Sequence, residues 1–269
     1  MNRSLLLREL RSNSTSLLVW TAIITFLTTA TMSLYGIFLE NNVKILAMIS
    51  ILPEGALQFK GVSDINDLFS VLGFYSANNV IYMLVLGSIY SISLSSNILL
   101  KEEYGRTAEF LLSWPVTRGQ VFFSKLAVVV INILLINLVT AVAGYISLET
   151  CKKEPYNVDA FLIMSLYTLL LHFFFAALGL FISVLIKKPK PVTTLSVALV
   201  MVLYFVYTIS NITPDLSWAG YVSPYKFIDL DVVNPVYRID LINILYFTLL
   251  PFLLIFISLR IYLRKDIYL

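Results

Sequence analysis

The chain has 269 residues, of which 59% are hydrophobic and only 13% are charged, and its mean hydropathy is +0.86. A soluble domain typically carries about a quarter charged residues, so this composition excludes an ordinary soluble enzyme and indicates a polytopic membrane protein. The net charge of +3 is too small to indicate nucleic-acid binding, and the single cysteine excludes an intrachain disulfide. We therefore predict an all-α integral membrane protein with one transmembrane domain over residues 1–269.

The first segment, residues 1–16, is predicted to form a helix at the membrane surface. Its leucine and arginine side chains fall on different sides, with Leu6, Leu7 and Leu10 on one and Arg8 and Arg11 on another. A simple basic flank before a membrane span is the alternative explanation. The following apolar run is too long for a signal peptide, so we expect it to be retained as the first span.

Six apolar runs are each long enough to cross a membrane, which takes about 20 residues in a helix. The predicted transmembrane helices are 17–39, 71–98, 122–148, 160–186, 192–212 and 241–263. The stretch 213–240, rich in Pro, Trp, Tyr and Asp, is predicted to be an outer loop.

Two of these helices carry stripes that are candidates for a transport path. The stripe residues are Thr21, Thr25, Thr28 and Met32 on the first helix, and Asn79, Tyr82, Tyr90, Ser93 and Asn97 on the second. Polar groups on a spanning helix are expected to face protein or water rather than lipid. Packing against a neighbouring helix is the alternative explanation for both stripes, because hydroxyl groups can bond carbonyls of their own helix.

The only histidine, His172, lies at the middle of the fourth predicted helix. No carboxylate lies in any predicted span, so we expect this histidine to be neutral, hydrogen-bonded and packed between helices. The same absence leaves a proton- or sodium-coupled relay without an obvious carrier. A single histidine without a cluster of acidic residues also gives no indication of a metal site.

The charged stretch from Lys101 to Lys125 separates the second and third predicted spans. It carries seven charged residues in 25 positions, more than an inter-helix turn requires. Its middle has an apolar helical pattern that ends at Pro115, which predicts a short helix over 101–115 at the membrane face.

The distribution of basic residues indicates the orientation of the spans. If both termini are cytoplasmic, 13 of the 19 Lys and Arg lie on the inside, together with only 5 of the 16 Asp and Glu. Basic residues near spans favour the cytoplasmic side. This places the stretch 101–125 in the cytoplasm of a multi-pass membrane protein.

The sequence contains no motif that would supply energy for transport. The charged stretch, in contrast, has the pattern of a segment that docks on another protein. No GxxxxGK[ST] phosphate loop and no GxSxG hydrolase motif occurs. We therefore expect no enzyme activity in this chain, and we expect a separate subunit to supply the energy. A channel or carrier that acts alone, and a non-transporting scaffold or sensor, are the alternatives.

The charged stretch resembles the signature of type-2 ABC exporter permeases, and most of all the branch that contains bacitracin-export and other peptide-export permeases. The residues that carry the resemblance are Glu103, Gly105, Thr107, Glu109, Phe110, Leu111, Leu112, Ser113, Pro115, Val116, Thr117, Arg118 and Lys125. Arg106 stands where many members have Gly and Thr adjacent. The segment Ser223–Lys226 before the last span also fits the pattern.

The resemblance implies that two permease chains, identical or related, associate in the membrane and that each docks on a cytoplasmic ATPase. ATP and Mg²⁺ would be bound by that ATPase, and the helix 101–115 would be its coupling helix. The residues expected to contact the ATPase are Glu102, Glu103, Gly105, Arg106, Thr107, Glu109, Phe110, Leu111, Leu112, Pro115 and Arg118. The implied cargo is peptides or other amphipathic or hydrophobic molecules, including antimicrobial peptides, and the implied location is a bacterial plasma membrane.

Overall fold

The computed structural model describes residues 2–49, 51, 68–101, 116–186, 192–228 and 240–264, without the side chains of residues 49 and 79–81. Six helices of this part are long and apolar enough to cross a membrane. In chain order, spans 1 to 6 are Arg3–Glu40, Val71–Ile98, Arg118–Cys151, Val158–Leu185, Val192–Ile212 and Leu241–Arg264. This architecture confirms the predicted all-α membrane fold with six spans.

Span 1 consists of two α-helices, Arg3–Ser33 and Tyr35–Glu40, and is followed by a short helix, Asn42–Ile49. The first helix begins at Arg3 because the Asn2 side chain accepts a hydrogen bond from the Leu5 amide at 3.2 Å. No turn separates the predicted surface helix 1–16 from the first span. Its position at the membrane surface therefore stays a prediction, and its helical structure is continuous with the span.

Span 2 occupies the centre of the bundle. In its most apolar 18-residue window 71% of the residues are buried, against 17% in spans 1 and 6. It packs against spans 4 and 5, while span 1 lies along span 3. Glycine makes the contact with span 4 close, because a Cβ at Gly179 would lie 2.1 Å from Ser95 Oγ and 2.6 Å from the Ile92 carbonyl.

Span 3 starts with a capping box that defines where the chain re-enters the bundle. The Thr117 hydroxyl accepts from the Gln120 amide at 3.2 Å, and Gln120 Oε1 accepts from the Thr117 amide at 3.0 Å. The Asn2 amide donates to Ser124 Oγ at 2.9 Å, so the chain start lies beside this turn. We call this end of the bundle, which holds Asn2, Lys101 and Arg118, the N-terminal face.

The predicted outer loop folds back between the helices in its first half. It forms two short 3₁₀ helices, Pro214–Val222 and Pro224–Phe227. The Ser223 hydroxyl donates to the Leu203 carbonyl at 2.8 Å, halfway along span 5. Non-α backbone is tolerated at such a depth where it is buried in protein. Residues 229–239 of the predicted loop lie outside the described part of the chain.

Candidate functional site

A buried carboxylate lies at the N-terminal face, where the predicted coupling segment leaves and rejoins the helices. The Glu9 side chain is fully buried and forms ion pairs with Lys101 and with Arg8, whose nitrogen lies 3.1 Å from Oε1. Lys101 is the last described residue before the segment 102–115. The carboxylate on span 1 therefore holds the point at which that segment begins.

A buried lysine of span 3 joins the same cluster. Lys125 is fully buried and donates a hydrogen bond to the carbonyl of Ile98, the last residue of span 2. Its positive charge also acts on the Glu9 carboxylate. Charged groups thus connect spans 1, 2 and 3 at the N-terminal face.

Opposite charges surround the Glu9 carboxylate in this cluster. Burial disfavours the ionised form, whereas the ion pairs with Lys101 and Arg8 and the positive charge of Lys125 favour it. A buried charge is stable only when it is paired and hydrogen-bonded in this way.

Sequence reasoning missed Glu9 as a buried residue of the first helix. Leu5 and Glu9, four residues apart, are the buried pair, whereas Leu7 on the predicted apolar side is 54% exposed. The spacing of Glu9 from Leu5 was the available signal, because residues four apart lie on one helix face.

The predicted ATPase contacts fall almost entirely outside the described residues. Glu102, Glu103, Gly105, Arg106, Thr107, Glu109, Phe110, Leu111, Leu112 and Pro115 all lie in the segment 102–115. Arg118 is described and is the first residue of span 3, directly after the capping residue Thr117. It lies at the N-terminal face, and its role in docking stays a prediction.

The predicted stripe on span 1 faces the interior of the bundle. Thr21 and Thr25 are half-buried, and Thr28 and Met32 are buried. Met32 joins an apolar cluster with the start of span 2. The hydroxyls of Thr25 and Thr28 are buried and find no hydrogen-bond partner among the described residues. This pair is the feature of the stripe that packing alone does not explain.

The stripe on span 2 makes polar contacts with three different helices. The Tyr82 hydroxyl lies 3.1 Å from Thr31 Oγ1 on span 1. Tyr90 donates to Asn132 Oδ1 on span 3 at 3.2 Å, and Asn97 Nδ2 donates to Thr193 Oγ1 on span 5 at 3.1 Å. These contacts fit the packing interpretation.

Two residues of that stripe, Ser93 and Asn79, do not distinguish between a transport path and helix packing. Ser93 is half-buried, and its carbonyl accepts hydrogen bonds from Ser96 and Asn97 within the same helix. Asn79 ends the first α-helical part of span 2, and its side chain is not described. A transport path along this face stays a prediction.

His172 lies at the centre of the bundle, bonded through both ring nitrogens. Nε2 donates to the Met83 carbonyl at 2.8 Å, since a carbonyl only accepts, and Nδ1 accepts from Asn137 Nδ2 at 2.9 Å. This pattern belongs to a neutral imidazole, as the sequence predicted. Asn137 lies on span 3, so this hydrogen bond joins spans 3 and 4.

A cavity of about 350 Å³ opens at the face opposite Lys101, between the end of span 1, the start of span 2 and the loop that joins spans 3 and 4. Tyr35, Phe69 and Leu72 provide apolar and aromatic walls. Lys153 and Glu154 also line it, and both are exposed. The cavity therefore combines apolar surface with charges of both signs.

Comparison with known proteins assigns the whole bundle to one family. Residues 4–267 match the family model described as ABC-2 family transporter protein. No curated protein matches the chain. The match covers all six spans and agrees with a membrane transport component that is not itself catalytic. The chain belongs to the ABC-2 transporter family and is a membrane-spanning permease of an ABC transporter.

Proposed function

We propose that this chain is the permease of an exporter, driven by a separate cytoplasmic ATPase that docks on the segment 101–118. The observation that carries the proposal is the buried charged cluster at the N-terminal face. Lys101, the first residue of the segment, and Lys125 on span 3 both interact with Glu9. A displacement at Lys101 would therefore act on Glu9 and, through it, on span 3.

The charge distribution supports the cytoplasmic location of this face. Lys101, Arg118 and Lys125 belong to the 13 basic residues that lie inside when both termini are cytoplasmic. An ATP-binding subunit is a cytoplasmic protein that reaches only that side. ATP and Mg²⁺ would be held by that subunit, and this chain would supply the docking surface.

The chemistry of the segment gives its residues distinct roles. Glu102, Glu103 and Glu109 offer charge pairs that steer docking more than they strengthen it. Phe110 and Leu111 are apolar residues that would bury surface in a groove of the ATPase, where most binding energy is concentrated.

The proposed cargo is an amphipathic or hydrophobic molecule, with small peptides as the first class to test. The cavity opposite Lys101 supports this choice, because aromatic walls at Tyr35 and Phe69 adjoin the charged side chains of Lys153 and Glu154. Ligand sites typically combine apolar walls with a few polar groups. A second copy of this chain, or a related permease, would complete the transporter.

The test combines Glu109→Lys with Leu111→Asp, which reverses a charge and introduces a carboxylate at the proposed docking surface. We expect membrane insertion to be retained, and both ATPase co-purification and ATP-dependent uptake of a labelled amphipathic peptide into inverted vesicles to be lost. Glu154→Lys at the opposite face is the charge-matched control and is expected to retain co-purification. A double variant that still purifies with a stoichiometric ATPase would contradict the docking assignment.

A further inference from the structure

Span 2 changes its helical form in the middle of the bundle. Val71–Asn79 and Gly87–Ile98 are α-helical, and Val80–Leu86 between them is a π-helix. The π-helix, whose hydrogen bonds join residues five apart, is rare and is frequently found at functional sites. Such a segment persists only where its surroundings stabilise it.

Two carbonyls of this segment are bound by side chains from other parts of the chain. His172 on span 4 donates to the Met83 carbonyl at 2.8 Å. Tyr225, on the segment that folds back between the helices, donates to the Leu84 carbonyl at 3.2 Å, and Ser88 donates to the same oxygen. The π-helical carbonyls are therefore satisfied by partners that an ordinary α-helix would not need.

The surrounding shape fits these two side chains closely. A Cβ at Gly87 would lie 2.3 Å from His172 Nε2, so glycine is what lets the imidazole reach Met83. Tyr225 is 1% exposed, and its ring centroid lies 5.6 Å from that of Phe175. Both donors are thus held in place by packing as well as by hydrogen bonds.

We propose that His172 and Tyr225 are positioning residues of the transport cycle, which hold span 2 in its π-helical register. When these two donors release their carbonyls, the segment returns to α-helical hydrogen bonding, and the half Gly87–Ile98 turns relative to the half Val71–Asn79. This inference rests on the proposed function, because Lys101 at the end of the turning half begins the segment assigned to the ATPase.

Two hydrogen bonds between the turning half and span 5 could be exchanged in such a movement. Asn97 Nδ2 donates to Thr193 Oγ1 at 3.1 Å, and Ser196 Oγ donates to Ser96 Oγ at 3.1 Å. These are single polar contacts between span 2 and span 5 that can be exchanged for others. A turn of the helix would separate Asn97 from Thr193, which makes this pair a reporter of the register.

The experiment uses the pair Asn97→Cys and Thr193→Cys in a Cys151→Ser background and a short bifunctional thiol cross-linker in lipid nanodiscs. Tyr225→Phe removes one of the two external donors with little change of volume. A net hydrogen bond corresponds to about a two- to tenfold change in an equilibrium, so we expect the cross-linking yield to fall in that range. His172→Phe is expected to lower it further.

Tyr167→Phe is the matched control, because Tyr167 is also buried and its hydroxyl accepts a hydrogen bond from the backbone amide of Asp240 at 3.2 Å. That hydrogen bond does not involve the π-helix, so this variant is expected to leave the yield unchanged. Equal yields for Tyr225→Phe and Tyr167→Phe would overturn the proposal.

Co-purification separates this outcome from a failure of the proposed function. An ATPase that co-purifies equally with Tyr225→Phe and Tyr167→Phe, while peptide uptake falls only in Tyr225→Phe, would support the positioning role. Equal uptake in both variants would overturn it and leave the docking assignment standing. Absence of an ATPase from the wild-type complex would instead refute the proposed function.

Discussion

Glu9 and Lys101 form an ion pair that joins span 1 to the residue after span 2. The carboxylate is fully buried, whereas 32% of the Lys101 side chain is exposed. Lys101 thus lies between the interior of the bundle and the segment that follows it. A movement of that segment would act directly on the buried pair, and through it on Lys125 and span 3.

Glu9→Gln is expected to destabilise the fold, because it removes the buried carboxylate that pairs with Lys101 and whose charge acts on Lys125. Breaking a buried ion pair by removing one partner costs about 3–5 kcal/mol, and we expect the lower end because Lys101 remains partly exposed. The melting temperature of the purified protein in detergent measures the effect. Peptide uptake is expected to fall together with stability.

Arg8→Gln is the control for this change. Arg8 also contacts Glu9, but 47% of its side chain is exposed. Exposed ion pairs contribute about 0–1 kcal/mol, so its melting temperature is expected to stay close to that of the wild type. A larger loss in Arg8→Gln than in Glu9→Gln would contradict the assignment of Glu9 as the centre of the cluster.

The six spans were predictable because hydrophobic length is a local property of the chain. The neutral state of His172 followed from the absence of carboxylates in the predicted spans, and its two hydrogen bonds agree with that reasoning. Both predictions required only the residues of individual apolar segments and the positions of the charged residues in the sequence.

The charged cluster and the π-helix were not predictable from local patterns. Glu9 is buried because Lys101 and Lys125, distant in sequence, reach it from spans 2 and 3. The π-helical register depends likewise on His172 and Tyr225, which come from other elements. The spacing of residues in a sequence predicts which side chains share a helix face. It does not predict which distant residues contact that face, and the charged cluster and the π-helix both depend on such contacts.

Gly179→Ala is expected to weaken the contact between spans 2 and 4. The added methyl would lie 2.1 Å from Ser95 Oγ and 2.6 Å from the Ile92 carbonyl, and the backbone atom cannot rotate away. Overpacking of this kind costs about 1–3 kcal/mol, which would lower the melting temperature. Gly36→Ala meets no atom within 4 Å and is expected to be neutral or slightly stabilising. Equal effects of the two substitutions would show that the helices separate easily at Gly179.

Thr28→Val tests whether the stripe on span 1 lines the transport path. The Thr28 hydroxyl is buried without a partner in the described part of the chain, so replacing it with a methyl is expected to leave stability unchanged or raise it by about 1 kcal/mol. Contact between this hydroxyl and cargo or water would make peptide uptake fall despite the retained stability. Thr140→Val is the control, because Thr140 is buried and donates to the carbonyl of its own helix at Ile136. Wild-type uptake in Thr28→Val would assign the stripe to helix packing alone.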